Sequence, residues 1–305
     1  MSASGCLPPG VSIVRTYPTL YHSKDYSVWY EATQTTNGFS GASWMLYIMP
    51  FMEYKDIADK WDFSHSVLVN KALAQRDIKA FYCPSRRSAM RNGDEENMFQ
   101  HWTSGGTDYG GCVGRTDFWV NTLGPSGDHM LCGAQWTILN GSPDDPATNR
   151  VVNGQVGVFY PNSHTTLNQI TDGTSHTIMV GELQRLHNSG SVPPGQNPTY
   201  YGPSMTSNDG WAVGGASCLF DCNTSGGFDQ GQPGGLNNAF FESAGSQHAG
   251  GANFAAVDSS VHFISETVDQ FTLGLLASMA DGGIVDPTIT NPNNPNGKPK
   301  VVQFP

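Results

Sequence analysis

The chain has 305 residues and carries 26 Asp and Glu against 15 Lys and Arg, a net charge of −11. That balance excludes a basic footprint for nucleic acid and charge-driven docking on anionic lipid. Only 13% of residues are charged, and 36 glycines and 19 prolines interrupt the sequence, so its polarity rests on Asn, Ser, Thr and Gln in a loop-rich chain.

In chain order, residues 1–40 are polar and irregular, with "LPPG" at Leu7–Gly10. Trp44, Tyr47, Ile48, Phe51, Tyr54, Ala58 and Trp61 follow helical spacing and predict a helix over 43–61, kinked or restarted at Pro50. A second helix is expected over 66–76. "IKAFYCPS" (Ile78–Ser85) reads as a strand stopped by Pro84, and residues 86–105 as a polar loop. "TDYGGCVGR" (Thr107–Arg115) reads as strand and turn. Residues 116–155 form a long connection, and "VGVFY" (Val156–Tyr160) another strand. A turn at Asp172–Gly173 leads into the strand "HTIMVGE". Residues 186–245 are rich in Gly, Asn, Ser and Pro with few core candidates, which predicts a surface lobe or extended loops.

"HAGGANFAAVDSSVHFISE" (His248–Glu266) offers two alternating runs joined through Asp258–Ser259–Ser260, a β-hairpin. Gly250 and Gly251 allow positive φ or close backbone approach where it begins. His248 is expected to hydrogen-bond across the open end, Asn253 to lie within the first strand, and Asp258 to accept turn N–H groups. Val268, Phe271, Leu275 and Met279 predict a last helix over 267–280, ended by Gly282–Gly283. There is no internal repeat. The expectation is one α+β domain over 1–286, with loop-rich insertions at 116–155 and 186–245 and an extended tail at 287–305.

Six cysteines (Cys6, Cys83, Cys112, Cys132, Cys218 and Cys222) allow up to three disulfides in fifteen pairings. At least one is expected, with Cys218–Cys222 or Cys112–Cys132 as the local pair, which would place the chain in an oxidising compartment; the competing reading is six separate thiols, some of them buried. The longest apolar run, Trp44–Met52, contains a proline and is too short to cross a bilayer. The signatures of a P-loop, a nucleophile elbow, a zincin and an EF-hand are all absent. Catalysis is therefore not expected, since a hydrolase would rest only on scattered His, Asp and Glu.

"HAGGANFAAVDSSVHFI" resembles the C-terminal H-x9-DG motif of a prepilin-like family of unknown function from planctomycetes. His248 and Asp258 match its His and Asp, and Ser259 stands where the motif has Gly. "LPPG", "SWMLYIMPFMEY", "IKAFYCPS", "TDYGGCVGR", "ITDGTSHTIMVGE" and "LASMADGGIV" follow in the order seen in that family, one of whose names calls it a bacterial solute-binding family. The resemblance implies a pilin-like antiparallel sheet with packed helices, an N-terminal membrane helix absent from this chain, and an extracytoplasmic place at the cell surface or in the periplasm. It implies other pilin-like subunits or surface proteins as partners, with no catalysis.

A glycan- or solute-binding module is the alternative. Its sugar platforms would be Trp102, Trp119, Trp136 and Trp211, which lie in loop-rich segments, and its partner a polysaccharide. A Ca2+ ion is the cofactor the resemblance suggests, with oxygen ligands available at Asp172, Glu182 and Asp258, and also at Asp221. The competing reading makes Asp172 and Asp258 turn residues.

Overall fold

The computed structural model describes residues 5–14, 26–115, 119–120, 129–130, 157–185, 208–222, 234–238 and 243–280. The fold is mixed α+β. Its strands are β1 (Val11–Ser12), β2 (Tyr26–Ser27), β3 (Ala42–Ser43), β4 (Tyr109–Cys112), β5 (Trp119–Val120), β6 (His129–Met130), β7 (Ile178–Glu182), β8 (Leu219–Phe220), β9 (Gly251–Ala256) and β10 (Val261–Ser265). The central sheet has the order β10-β9-β7-β4-β8, antiparallel except for the parallel β4–β8 pair. Two further small sheets have the orders β1-β3 and β2-β6-β5.

The helices are short: α1 (Val28–Thr33), α2 (Trp44–Ile48), α3 (Lys55–Lys60), α4 (Lys71–Ala74) and α5 (Gln270–Ala277). Among the described residues, no helix is long and apolar enough to cross a membrane. The helix expected over 43–61 is three pieces. Ser43 caps α2 by accepting the Met45 N–H, Pro50 opens a 3-10 turn at Met49–Phe51, and Glu53 takes a φ of 65° before α3 begins. A proline lacks the donor a continuous helix needs, so the break is local chemistry. Trp44, Met49, Ile57 and Trp61 still reach the core, but Phe51, on the predicted apolar stripe, is 74% exposed. The helix expected over 66–76 shrinks to α4.

"IKAFYCPS" is not a strand. Lys79–Phe81 is a 3-10 turn, after which Tyr82 is extended and Cys83 buried. Residues 157–160 of "VGVFY" run beside β4, with the Gly157 and Phe159 N–H groups donating to the Val113 and Cys112 carbonyls, but form no named strand. β7 and the β9–β10 hairpin fall where the alternation places them.

Two apolar clusters surround the sheet. One joins Trp44, Met45, Phe159 and Trp211, and the other packs Phe220, Phe254 and Ile264 against Leu273 and Leu276 of α5. The second cluster corrects the stripe expected for the last helix, where Phe271 and Leu275 are only half-buried. Asp269 caps α5 by accepting the Thr272 N–H at 2.9 Å. Segment 208–222 also departs from expectation. It supplies the edge strand β8 and the fully buried Trp211, Val213, Leu219 and Phe220, so this part of 186–245 is core. The tail 287–305 lies outside the described residues.

No disulfide forms among the described cysteines. Cys83, Cys112, Cys218 and Cys222 carry free thiols, which corrects both expected links, Cys218–Cys222 and Cys112–Cys132. β8 separates Cys218 from Cys222, and Cys222 has the Cys112 thiol as its neighbour instead. Burial, then that neighbour, pushes the Cys222 thiol well above its ordinary value, and burial pushes Cys218 up to about 12. Cys132 lies outside the described residues.

Candidate functional site

Three chain segments meet on one side of the sheet. Glu182 ends β7, paired opposite Tyr109 of β4. Cys83 follows the turn at 79–81, and its N–H donates to Asp108 Oδ2 at 3.1 Å. His248 arrives from a segment that runs past the end of β7, where the Gly245 N–H donates to the Glu182 carbonyl at 3.0 Å. Ser246 then turns the chain by accepting the His248 N–H at 3.0 Å.

Asp108 holds Cys83 because a buried ionic network holds Asp108. Arg86 and Arg87 donate to its Oδ1 at 2.5 and 2.9 Å, and Arg87 also reaches Asp94 at 2.8 Å and Asp209 at 2.6 Å. Arg185 lies 3.5 Å from Asp209. Three arginines and three aspartates balance in charge, and their side chains are at most 3% exposed. Burial alone would neutralise such groups, so each depends on its partners. Burial raises Asp94, yet hydrogen bonds from Arg91 and Arg87 bring it down to about 2. Burial lowers Arg86 to about 10, against the opposing pull of Asp108.

At the meeting point, Cys83 Sγ is 3.2 Å from Glu182 Oε1 and 3.6 Å from His248 Nε2, and Nε2 is 3.0 Å from the same Oε1. The other Glu182 oxygen accepts the Asn253 backbone N–H at 2.6 Å and Asn253 Nδ2 at 3.2 Å. The Tyr109 hydroxyl bonds to Cys83, and burial with the nearby thiol and carboxylate raises it strongly. Burial, then the bond to Glu182, pushes the Cys83 thiol above its ordinary value. These groups line a pocket of about 420 Å³.

This arrangement differs from a nucleophile relay. A relay needs one imidazole nitrogen on the thiol and the other on the carboxylate. Here Nε2 faces both, and no second nitrogen is needed to reach the carboxylate. What the three atoms share is a common focus. Among the described residues, they are the one group of three His, Cys, Asp or Glu ligand atoms close enough to hold a metal ion.

The expected site residues divide accordingly. His248, Asn253 and Glu182 come together, although His248 reaches β7 rather than across its own hairpin. The hairpin's open end is closed instead by the Glu266 N–H on the Gly250 carbonyl, and by Ser246 Oγ on that of Gly251. Gly250 has a φ of 80°, and a Cβ on Gly251 would stand 2.1 Å from the Ile264 oxygen, so both positions require glycine. Asp258 accepts the Ser260 N–H and hydroxyl at 2.9 and 2.6 Å, the turn role expected of it.

Asp172, Glu182 and Asp258 form no common ligand group, so the calcium set is not assembled. Asp258 is turned into its own turn, and Glu182 shares its carboxylate with sulfur and nitrogen donors. Asp221 is buried at the end of β8. Trp102 and Trp211 are 3% and 0% exposed and belong to the core, so neither offers a ring face to a sugar. Trp136 and the Trp119 side chain lie outside the described residues.

Cys83 was not among the site residues expected from sequence. Its signal was positional: Cys83, Glu182 and His248 each lie in one of the ordered blocks that carry the family resemblance. Residues 12–271 match the model of a family described as a protein of unknown function, DUF1559. The chain belongs to this family. No curated protein and no solved structure matches it. Cys83, Glu182 and His248 all fall inside the span matched to DUF1559, as does the whole central sheet.

Proposed function

We propose that this DUF1559 protein is a non-catalytic, pilin-like subunit of the cell surface or of a secretion appendage. It works outside the cytoplasm, and its pocket at Cys83, Glu182 and His248 holds a ligand rather than transforming one. The observation that supports this reading is the single His248 nitrogen facing both thiol and carboxylate, which is not the two-nitrogen arrangement of a Cys-His-acid relay. The ordered sequence blocks and the C-terminal hairpin packed on β7 support the pilin-like part of the reading. Its partners are other pilin-like subunits or surface proteins, and the net charge of −11 argues against nucleic acid. Solute binding is the second reading, favoured by the pocket's volume.

The test is turnover. The purified chain, incubated with ester, peptide and glycoside substrates, is expected to show no activity above that of His248→Ala. Turnover abolished by Cys83→Ser or His248→Ala would overturn the non-catalytic reading. Surface labelling of intact host cells is expected to modify the protein, and its recovery only from the cytoplasm would refute the location.

A further inference from the structure

We propose that Cys83, Glu182 and His248 are three ligands of a divalent cation of the zinc class, with its fourth position on the pocket side. The inference rests on the reading of this pocket as a ligand-holding site and names what it holds.

The distances fit. A tetrahedral ion about 2.3 Å from sulfur and about 2.0–2.1 Å from nitrogen and oxygen sets its ligand atoms about 3.3–3.6 Å apart, with the nitrogen–oxygen edge shortest. The observed edges are 3.6 Å for sulfur–nitrogen, 3.2 Å for sulfur–oxygen and 3.0 Å for nitrogen–oxygen. The nitrogen–oxygen edge is the shortest in both, and each edge is within about 0.4 Å of the ideal for such an ion. The donors select the metal. One thiolate, one imidazole and one carboxylate suit zinc and its neighbours, whereas calcium asks for six to eight oxygens.

The groups behind the ligands are those a metal site needs. Two Asn253 donors hold Glu182 Oε2 and leave Oε1 for the ion. Asp108, clamped by Arg86 and Arg87, fixes the Cys83 backbone. Tyr109 supplies a hydroxyl to the sulfur. Three protein ligands beside a pocket of about 420 Å³ leave room for a donor atom of a bound solute as the fourth.

The experiment uses Co2+ as a visible stand-in for Zn2+. The chelator-treated full chain is titrated with Co2+, then with Zn2+. One equivalent of Co2+ is expected to give a sulfur-to-cobalt charge-transfer band and the d–d bands of a tetrahedral site, both erased by Zn2+. Cys83→Ser should lose the charge-transfer band, and His248→Ala should weaken Co2+ binding about tenfold or more. Circular dichroism checks that each variant folds. Should a variant fail to fold, the wild type decides: Zn2+ is expected to shield Cys83 from alkylation, read by peptide mass spectrometry. Absence of the charge-transfer band with no protection of Cys83, or a band unchanged in folded Cys83→Ser, overturns the proposal and leaves the non-catalytic reading standing. Metal-independent substrate turnover at Cys83 overturns that reading as well.

Discussion

Ser259 has a φ of 72°, left-handed backbone that a side chain occupies only with strain. The family motif places glycine there, so Ser259→Gly is expected to stabilise the protein by about 1 kcal/mol, read as a higher melting temperature. Its neighbour Asp258 is exposed and its carboxylate bonds only within the turn, so Asp258→Ala should shift melting slightly. Glu182 is different. It is 2% exposed and accepts from Asn253, His248 and Cys83. Glu182→Ala strands the Asn253 N–H and should cost about 1–3 kcal/mol in chemical denaturation.

At the scale of elements, α5 depends on one cap and one packed face. Asp269→Ala removes the acceptor for the Thr272 N–H and should cost about 1 kcal/mol. Leu276, 1% exposed, packs into the cluster between α5 and the sheet, so Leu276→Ala should cost about 2–5 kcal/mol. Denaturant titration of the two variants ranks them, and a larger loss at the cap would refute this account of α5. The existence of this helix and of the hairpin was legible in local pattern. Its inward face was not, because Leu273 and Leu276 compete with Phe271 and Leu275 for one stripe and only the sheet decides.

Across the molecule, the buried ionic network links acid stability to the site. Asp94 has an ordinary value of 3.8 and falls to about 2 in the fold, so its stabilisation is complete above 3.8. It is lost as pH falls toward 2, and the amount is on the order of 2 kcal/mol. Asp209 is lowered as well, against burial, by Arg185 and Arg87. Thermal melts below the ordinary carboxylate range should therefore show steep loss in the wild type and a shallower slope in Asp94→Asn. The buried thiols Cys112, Cys218 and Cys222 should resist alkylation until the fold is lost.

The sequence by itself determined the acidic surface, the hairpin with its obligatory glycines, the turn at Asp258 and the family, because these follow from composition, period-two alternation and ordered local blocks. It also marked His248, Asn253 and Glu182 one at a time. Only the tertiary structure decided that Cys83 joins them, for residues 83, 182 and 248 have no fixed spacing and meet through β4–β7 pairing and the clamp on Asp108. It also decided that Trp102 and Trp211 are core and that "IKAFYCPS" is no strand. Loop-rich composition does not report burial, and the pairing of a short apolar run depends on partners far along the chain.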